Sequence, residues 1–259
     1  MSDTSTNLNF QQLLDVISNE QTFELELLDS SKLNFKQLTT LQLKELIQTV
    51  VDSPVTQAVF NSTITKIFRN SLVERNDVSS FNILDRLMFV LETRSQSLSP
   101  VKTVTQDEKT VTFNLSEIRA KLIKSFTESK DLLEVQTTTK DKYTLTYCIP
   151  TLKSEQQLND ELYKKLEIDI KNVDELRKII GDAFINEIAK TLQTIEVDGS
   201  KFDFSSNTFK NRVKIIETLP ASIIQEVITY IEKYKGIIDS CLTVDGTLLT
   251  VDGSLFSLR

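Results

Sequence analysis

Four charged residues, Asp85, Arg86, Glu92 and Arg94, lie within the otherwise apolar stretch FNILDRLMFVLETRSQSL at positions 81–98. Carboxylates and guanidinium groups so close in sequence could exchange protons, bind an anion or form structural ion pairs. With about 100° between successive helical residues, Asp85 and Glu92 share one flank of the predicted helix, and Arg94 lies on the opposite flank. Asp85 and Arg94 therefore cannot pair with each other within this helix, and Arg94 needs a partner elsewhere.

Three interpretations of Arg94 are open at this point. Its stem could cover apolar surface, its guanidinium could form an ion pair within the protein or at an interface, or it could serve catalysis. Catalysis is the weakest interpretation because the chain contains no histidine. Without histidine there is no Ser-His or Cys-His nucleophile pair and no His-based zinc site. We therefore expect Asp85 and Arg94 to form structural ion pairs, within a lobe or across an interface.

Three Val-Asp-Gly sequences, at Asp198, Asp245 and Asp252, could suggest calcium ligands. Their spacing does not match an EF-hand loop, which needs carboxylates at alternate positions followed by a distant glutamate. Asp-Gly pairs between apolar runs are typical of tight turns, and we predict turns at all three positions. The basic sequence Lys210-Asn211-Arg212 is diluted by nearby acids and predicts a solvated helix face.

The bulk composition narrows the class of protein. The chain has 259 residues and a net charge of −7, which argues against broad nucleic-acid binding because that binding requires a basic surface. There is no secretory signal pattern and no apolar run near the ~20 residues of a membrane span. The two cysteines, Cys148 and Cys241, favour buried thiols in a reducing compartment. We expect a soluble intracellular protein without a metal or cofactor.

The pattern of elements predicts an α+β protein that is mainly α-helical, has several short β-hairpins and is multi-lobed. Residues 1–99 form a mainly helical lobe with one hairpin, residues 100–150 a strand-rich middle segment, and residues 151–259 a helical lobe with two hairpins. Alternating apolar residues predict hairpins at 23–35, around Lys140-Asp141 and at Asp198-Gly199. Residues 10–18 predict a short helix after a polar tail.

Apolar stripes with i, i+3, i+4, i+7 spacing predict the helices. The spacing of Thr39 and Gln42 is that of a capping box, and we expect further N-caps at Ser79 or Ser80, Asn114, Ser154, Asn172 and Ser222. The predicted core-facing stripes comprise Leu43, Leu46, Ile47 and Val50; Phe60, Ile64, Ile67 and Phe68; Phe81, Leu84, Leu87, Met88 and Leu91; Ile118, Leu122, Ile123 and Phe126; Leu176, Ile179, Ile180, Ala183, Phe184, Ile188 and Leu192; and Ile224, Val227, Ile228, Ile231, Tyr234 and Ile238.

Two features near the end of the sequence are candidates for interaction. Leu219-Pro220 breaks a long helical pattern into two helices. The final stretch LTVDGTLLTVDGSLFSL predicts a small hairpin with an apolar tip at Leu255, Phe256 and Leu258. Apolar side chains at such a tip are costly to leave in water. The tip either folds back on its own lobe or docks on a partner.

Several of these stretches together resemble the baseplate hub and hub-assembly proteins of T-even-type myophages. That family has a strand pair leading into a K-x-L-T-x-x-Q helix, then an I-D-R-L-x-x-x-L-x-x-R-x-x-S-L helix, and a late Leu-Pro pair before an amphipathic helix. The resemblance covers the first hundred residues and the last fifty. Ser99-Pro100 stands where the family pattern has a glycine. The matching positions are Lys36, Leu38, Thr39 and Gln42; Ile83, Leu84, Asp85, Arg86, Leu87, Leu91, Arg94, Ser97 and Leu98; and Leu219-Pro220.

The resemblance implies a non-enzymatic structural or assembly protein of a contractile tail's baseplate hub. Its implied partners are other hub subunits and the tape-measure protein, in a hetero-oligomer. It implies residence in the host cytoplasm during assembly, and then in the virion tail baseplate. The alternative is a transient chaperone for the tape-measure or another hub protein, absent from the finished virion. A third hypothesis, from the residues alone, is a carboxylate-based Mg²⁺ enzyme acting on phosphate esters.

Overall fold

The computed structural model describes residues 21–50, 56–74, 80–106, 108–163 and 173–257. The predicted helix at 10–18, its preceding tail and the capping residue Asn172 lie outside these residues. The helices are α1 Thr40–Ile47, α2 Thr56–Ser71, α3 Ile83–Ser97, α4 Leu115–Glu128, α5 Leu152–Tyr163, α6 Val173–Thr191, α7 Phe209–Thr218 and α8 Ala221–Leu242. The strands are β1 Thr22–Glu26, β2 Lys32–Lys36, β3 Val101–Gln106, β4 Lys109–Asn114, β5 Gln136–Lys140, β6 Tyr143–Tyr147, β7 Leu192–Val197, β8 Ser200–Asp203, β9 Thr243–Val244 and β10 Thr247–Leu248.

This architecture confirms the predicted fold class, α+β and mainly helical with short antiparallel hairpins. Strands β5 to β8 form one four-stranded antiparallel sheet in sequential order, while β1–β2, β3–β4 and β9–β10 are separate two-stranded ribbons. Strands β3 and β4 both lie within the predicted strand-rich segment 100–150. In the part of the chain that the structure describes, none of the helices has the length and apolar composition of a membrane span.

The hairpin turns form where the sequence predicts them. Asp141, Asp198 and Asp245 all have positive φ, between 48° and 53°, a conformation that aspartate tolerates better than most residues. Gly199 and Gly246 follow two of them with φ of 79° and 78°. These left-handed pairs match the right-handed twist of the flanking strands.

The helix starts and stripes are only partly as predicted. Thr39 and Gln42 form a complete capping box, but α3 begins at Ile83 behind Asn82, and α5 begins at Leu152. Helix α8 follows Pro220 directly and has no side-chain cap, so the cap predicted at Ser222 is wrong. Periodicity locates a helix better than it locates the first turn, where local hydrogen bonds decide.

The α2 stripe is confirmed, since Phe60, Ile64, Ile67 and Phe68 are all buried. Two other stripes contain errors. Of the first predicted stripe only Leu46 is buried; Ile47, the last residue of α1, and Val50, which follows the helix, face solvent. In α6, Phe184 is 49% exposed, although Ile188 further along is buried. The side chains of residues 159–163 and 173–180 lie outside the described part of the structure.

A cluster of phenylalanine rings anchors the first hairpin. Phe23 and Phe35 face each other across β1 and β2, and Phe35 also contacts Phe68 of α2 and Phe89 of α3, with ring centroids 5.1 and 4.9 Å apart. The buried apolar residues extend from this cluster through α4, α8 and the four-stranded sheet as one continuous core. That sheet joins strands from the predicted middle segment 100–150 to strands from 151–259, and the exact division into lobes stays a prediction.

Arg212 corrects the interpretation of Lys210-Asn211-Arg212 as a solvated face. Its side chain is buried and donates from Nη2 to Gln157 Oε1 at 2.6 Å and from Nε to the carbonyl oxygen of Asn207 at 3.1 Å. Cys148 and Cys241 are both free thiols, Cys241 buried and Cys148 half-buried. Burial raises the pKa of the Cys148 thiol.

Candidate functional site

Helix α3 is buried around almost its whole circumference. Asp85, Arg86 and Glu92 are each 7% exposed and Arg94 is 4% exposed. The sequence predicted one buried face with charged flanks, and that is wrong because α2, α4, α5 and β1 pack around the helix. A buried charge is costly unless it is paired or hydrogen-bonded, so the partners of these side chains define the site.

Asp85 closes the first turn of α3. The Asn82 backbone N–H donates to Asp85 Oδ2 at 2.8 Å, while Asn82 Oδ1 accepts from the backbone N–H groups of Leu84 and Asp85. This is a reciprocal capping box. Burial raises the pKa of Asp85 to about 7 even though the Asn82 N–H favours the charged form. The ion pair expected for Asp85 is therefore replaced by a main-chain hydrogen bond.

Arg86 forms a buried ion pair, although the sequence analysis expected such pairs for Asp85 and Arg94. Its guanidinium binds Glu155 of α5 through both terminal nitrogens: Nη2 donates to Oε1 at 3.0 Å, and Nη1 donates to Oε2. Nη1 also donates to Thr65 Oγ1 of α2 at 3.1 Å. Burial alone would raise the pKa of Glu155, but the charge and hydrogen bonds of Arg86 outweigh it and the pKa is lowered. One guanidinium thus ties together α2, α3 and α5.

Glu92 makes the second buried ion pair of α3. Its carboxylate binds the Arg119 guanidinium of α4, and Gln96 Nε2 donates to Glu92 Oε1 at 2.7 Å. Burial lowers the pKa of Arg119. Arg86 and Glu92 therefore fasten α3 to helices on different sides.

Arg94 binds main-chain carbonyl oxygens rather than a carboxylate. Its Nε donates to the carbonyl oxygen of Leu255 at 2.8 Å, and Nη1 donates to that of Ser99 at 2.6 Å. Lys102 of β3 lies nearby, and its Nζ donates to the carbonyl oxygens of Ser254 and Ser257 at 3.0 and 3.1 Å. The ion pair expected for Arg94 is wrong within the described chain, because the carbonyl oxygens of Ser99 and Leu255 take its place. Residues 249–257, which include Leu255, are named here the strap.

Leu255 and Phe256 are the buried apolar residues of the strap, at 1% and 0% exposure. They lie in a 3-10 helix from Gly253 to Phe256 that Asp252 caps. The hairpin predicted for the final stretch is therefore wrong at Asp252, whereas at Asp245 the strands β9 and β10 do form one. Phe256 contacts Phe60 of α2, with ring centroids 6.4 Å apart. The alternatives were folding back on its own lobe or docking on a partner, and the structure has neither: Leu255 and Phe256 pack within the chain, but against α1–α3. Leu258 lies outside the described residues.

Gly253 lets the strap approach α1 closely. A Cβ atom built at this position would lie 2.5 Å from Thr49 Oγ1 and 2.8 Å from Val50 Cγ2. Both distances are shorter than a van der Waals contact, so only glycine fits against the end of α1 without displacement. The strap is therefore fixed by shape at Gly253 as well as by the two cations.

Leu219 and Pro220 separate α7 from α8, as predicted. Leu219 is half-buried against the core, and Pro220 is exposed. The Pro220 carbonyl oxygen accepts from the Ile223 backbone N–H at 2.9 Å. They are a structural break, with no hydrogen bond in the described chain to Arg94 or to the strap.

The structure thus brings Arg94 together with Leu255. Asp85 and Arg86, near the beginning of the same helix, have Asn82 and Glu155 as partners instead, and Leu219 and Pro220 lie apart from these contacts. Sequence reasoning missed the partners Glu155, Arg119, Lys102 and Thr65. No local pattern could have found Glu155, because it lies 69 residues beyond Arg86 and has no special spacing in its own helix. Only the packing of α5 against α3 makes the pair.

A polar cleft of about 430 Å³ opens above the Arg86–Glu155 pair, between α2 and α5. Its walls carry Lys66, Arg69, Asn70 and Gln156. Because Arg86 lowers the pKa of Glu155, the carboxylate at the cleft is ionised at neutral pH and is held by its partner. The described residues contain no group of three or more His, Cys, Asp or Glu side chains placed to hold a metal ion.

Comparison with known proteins gives no relative: no family model, curated protein or solved structure matches the chain significantly.

Proposed function

We propose that this chain is a non-enzymatic structural or assembly protein of a contractile phage tail baseplate hub, acting through protein–protein contacts with other hub subunits and the tape-measure protein. The proposal originates in the resemblance of residues 36–42, 83–98 and 219–220 to T-even-type hub proteins. It places the protein in the host cytoplasm during assembly and in the tail baseplate afterwards, without nucleic acid as a partner.

The observation that carries the proposal is that every charged side chain of α3 is buried and bonded to another part of the protein. Asp85 caps the helix, Arg86 and Glu92 bind Glu155 and Arg119, and Arg94 holds the strap. A catalytic group must reach a substrate, whereas these groups are buried and engaged. The polar positions of the family-like motif thus fit a scaffold that presents its outer surface to partners.

A second candidate is a transient assembly chaperone for the tape-measure or another hub protein. It is favoured by an open apolar groove between α6 and α8, where Phe184 is 49% exposed. A chaperone that leaves the particle needs a surface of this kind to hold an apolar client.

The test is co-expression of the full chain with the hub and tape-measure proteins encoded in the same genome, followed by affinity purification and mass measurement of the complex. A complex of fixed stoichiometry supports the hub assignment, and a monomer that binds none of these proteins contradicts it. Mass spectrometry of purified virions then separates the candidates: a stoichiometric amount of the chain excludes the pure chaperone, and its absence excludes the permanent hub subunit.

A further inference from the structure

The groove between α6 and α8 is apolar at its base and open to solvent. It has a volume of about 380 Å³. Phe184 and the half-buried Ile228 contribute its open apolar surface, and the buried Ile188 and Ile231 form its floor. Phe184 is the single aromatic residue among the large apolar side chains that are exposed in the described part of the chain. About half of this residue is open to solvent among the described residues, so the groove has apolar surface that the described core leaves uncovered.

Two glycines lie in these same helices without a packing reason among the described residues. A Cβ atom built at Gly181 of α6 or Gly236 of α8 would meet nothing within 4 Å. Glycine is among the least favourable residues in a helix interior, and neither position has the positive φ that would require it. Gly181 lies one turn before Phe184, and Gly236 lines the groove. The missing side chain of Gly236 leaves room for a foreign backbone to approach the α8 wall of the groove.

The rim of the groove is acidic. Glu187 is held by Lys190 and Lys235, each with an Nζ–Oε distance of 2.7 Å. Burial alone would raise the pKa of Glu187, but the two lysines outweigh it and lower the pKa. Glu232 and Asp239 also line the groove, and neither carboxylate has an ion-pair partner among the residues described. The unpaired charge at the rim is therefore negative.

We propose that this groove is the docking site for an amphipathic helix of a partner protein, with an apolar stripe on one face and Lys or Arg along its flanks. Residues Ile228 to Asp239 run for about 16 Å along α8 at 1.5 Å per residue, the length of three helical turns. The apolar stripe packs on Phe184 and Ile228, and Gly236 admits the partner's backbone. Its cations pair with Glu232 and Asp239. The site follows from geometry and charge alone, and it goes beyond the baseplate assignment.

The experiment uses the full chain and a designed leucine/lysine amphipathic peptide of about 18 residues, labelled for fluorescence anisotropy, with a leucine/glutamate peptide of the same pattern for comparison. We expect the leucine/lysine peptide to bind and the leucine/glutamate peptide not to bind. Gly236→Leu fills the groove with a side chain that meets open space, so α8 stays folded, and it should weaken binding at least about tenfold.

A matched pair of variants separates the groove from general attraction to an acidic protein. Glu232→Lys with Asp239→Lys changes the net charge as much as Glu128→Lys with Glu217→Lys, which lie on exposed positions of α4 and α7. The groove pair should weaken binding about tenfold or more, and the distant pair by about twofold at most. The proposal is overturned by equal weakening in both pairs, by unchanged binding of Gly236→Leu, or by no binding of the leucine/lysine peptide at all. Circular dichroism of each variant establishes that it is folded.

Discussion

The Nε of Arg94 donates a hydrogen bond of 2.8 Å to the carbonyl oxygen of Leu255, 161 residues further along the chain. A buried arginine in the middle of the sequence thus holds the backbone of a segment near its end. This hydrogen bond involves only the main chain of the strap, so it does not depend on which side chain stands at position 255. The sequence of the strap matters at Gly253, which fits closely against the end of α1, and at Phe256, whose ring contacts Phe60.

Replacing Arg94 should loosen the strap. Arg94→Met keeps an apolar stem but leaves the carbonyl oxygens of Leu255 and Ser99 without their donor, at a cost of about 1–3 kcal/mol for each buried group. We expect the free energy of unfolding to fall by about 2–4 kcal/mol, measured by urea denaturation. Hydrogen exchange at Leu255 and Ser257 should accelerate more than exchange in α8.

Arg69→Met is the matched control for that substitution. Arg69 is exposed on α2 and has no ion-pair partner within the described chain, so its loss should change the stability by about 0.5 kcal/mol or less. Equal effects of the two substitutions would refute the structural role assigned to Arg94.

The Arg86–Glu155 pair should behave as a coupled unit. Arg86→Met leaves the Glu155 carboxylate buried without its cation and should destabilise the protein by about 3–5 kcal/mol. Arg86→Met combined with Glu155→Leu removes both charges and should recover part of that loss. A double-mutant cycle measures the coupling, and strictly additive losses would contradict it.

The stability of the protein should depend on pH through Asp85. Its pKa is raised from 3.8 to about 7 by burial, so between about pH 4 and 7 the folded state binds more protons than the unfolded state. The stabilisation is complete below about pH 4 and is lost as the pH rises towards 7. Asp85→Asn keeps an oxygen that accepts from the Asn82 N–H and should remove this decline, making the variant more stable than the parent at pH 8. Glu155 and Glu187, whose pKa values are lowered, act in the opposite direction, and their contribution is lost only as the pH falls below about 4.5.

Urea denaturation from pH 3.5 to 8.5 measures these slopes. Each pH unit of displacement of the Asp85 pKa corresponds to about 1.4 kcal/mol, so the difference between parent and variant should grow towards pH 7 and then level off. A difference that is constant across this range would show that Asp85 is ionised in the folded protein.

Two glycines make a matched pair for the packing of the strap. Gly253→Ala places a methyl group against Thr49 and Val50 and should destabilise the protein by about 1–3 kcal/mol. Gly236→Ala adds the same methyl group to an open position in α8 and should stabilise the protein by up to about 1 kcal/mol. Thermal unfolding of both variants tests the pair, and a stabilising Gly253→Ala would refute the close approach of the strap to α1.

Local chemistry made part of the fold predictable. The hairpin of β1 and β2 follows from the alternation of apolar residues at 23–35, and the capping box at Thr39 and Gln42 follows from side chains three residues apart. The stripe of Phe60, Ile64, Ile67 and Phe68 predicts its burial correctly, because a helix of this sequence has only one face to bury. By contrast, Phe184 shares a stripe with Ile188 but faces solvent, since no described element covers that end of the groove.

The sequence by itself determined the fold class, the turns at Asp141, Asp198 and Asp245, and the impossibility of an ion pair between Asp85 and Arg94 within one helix. Each of these depends on residues within a few positions of one another, where backbone geometry fixes which side chains can meet. Only the tertiary structure decided that Arg86 pairs with Glu155, that Arg94 binds the Leu255 carbonyl and that Asp85 retains its proton to about pH 7. Those outcomes depend on which distant helix covers α3 and on the water that it excludes, and neither is set by the local spacing of residues.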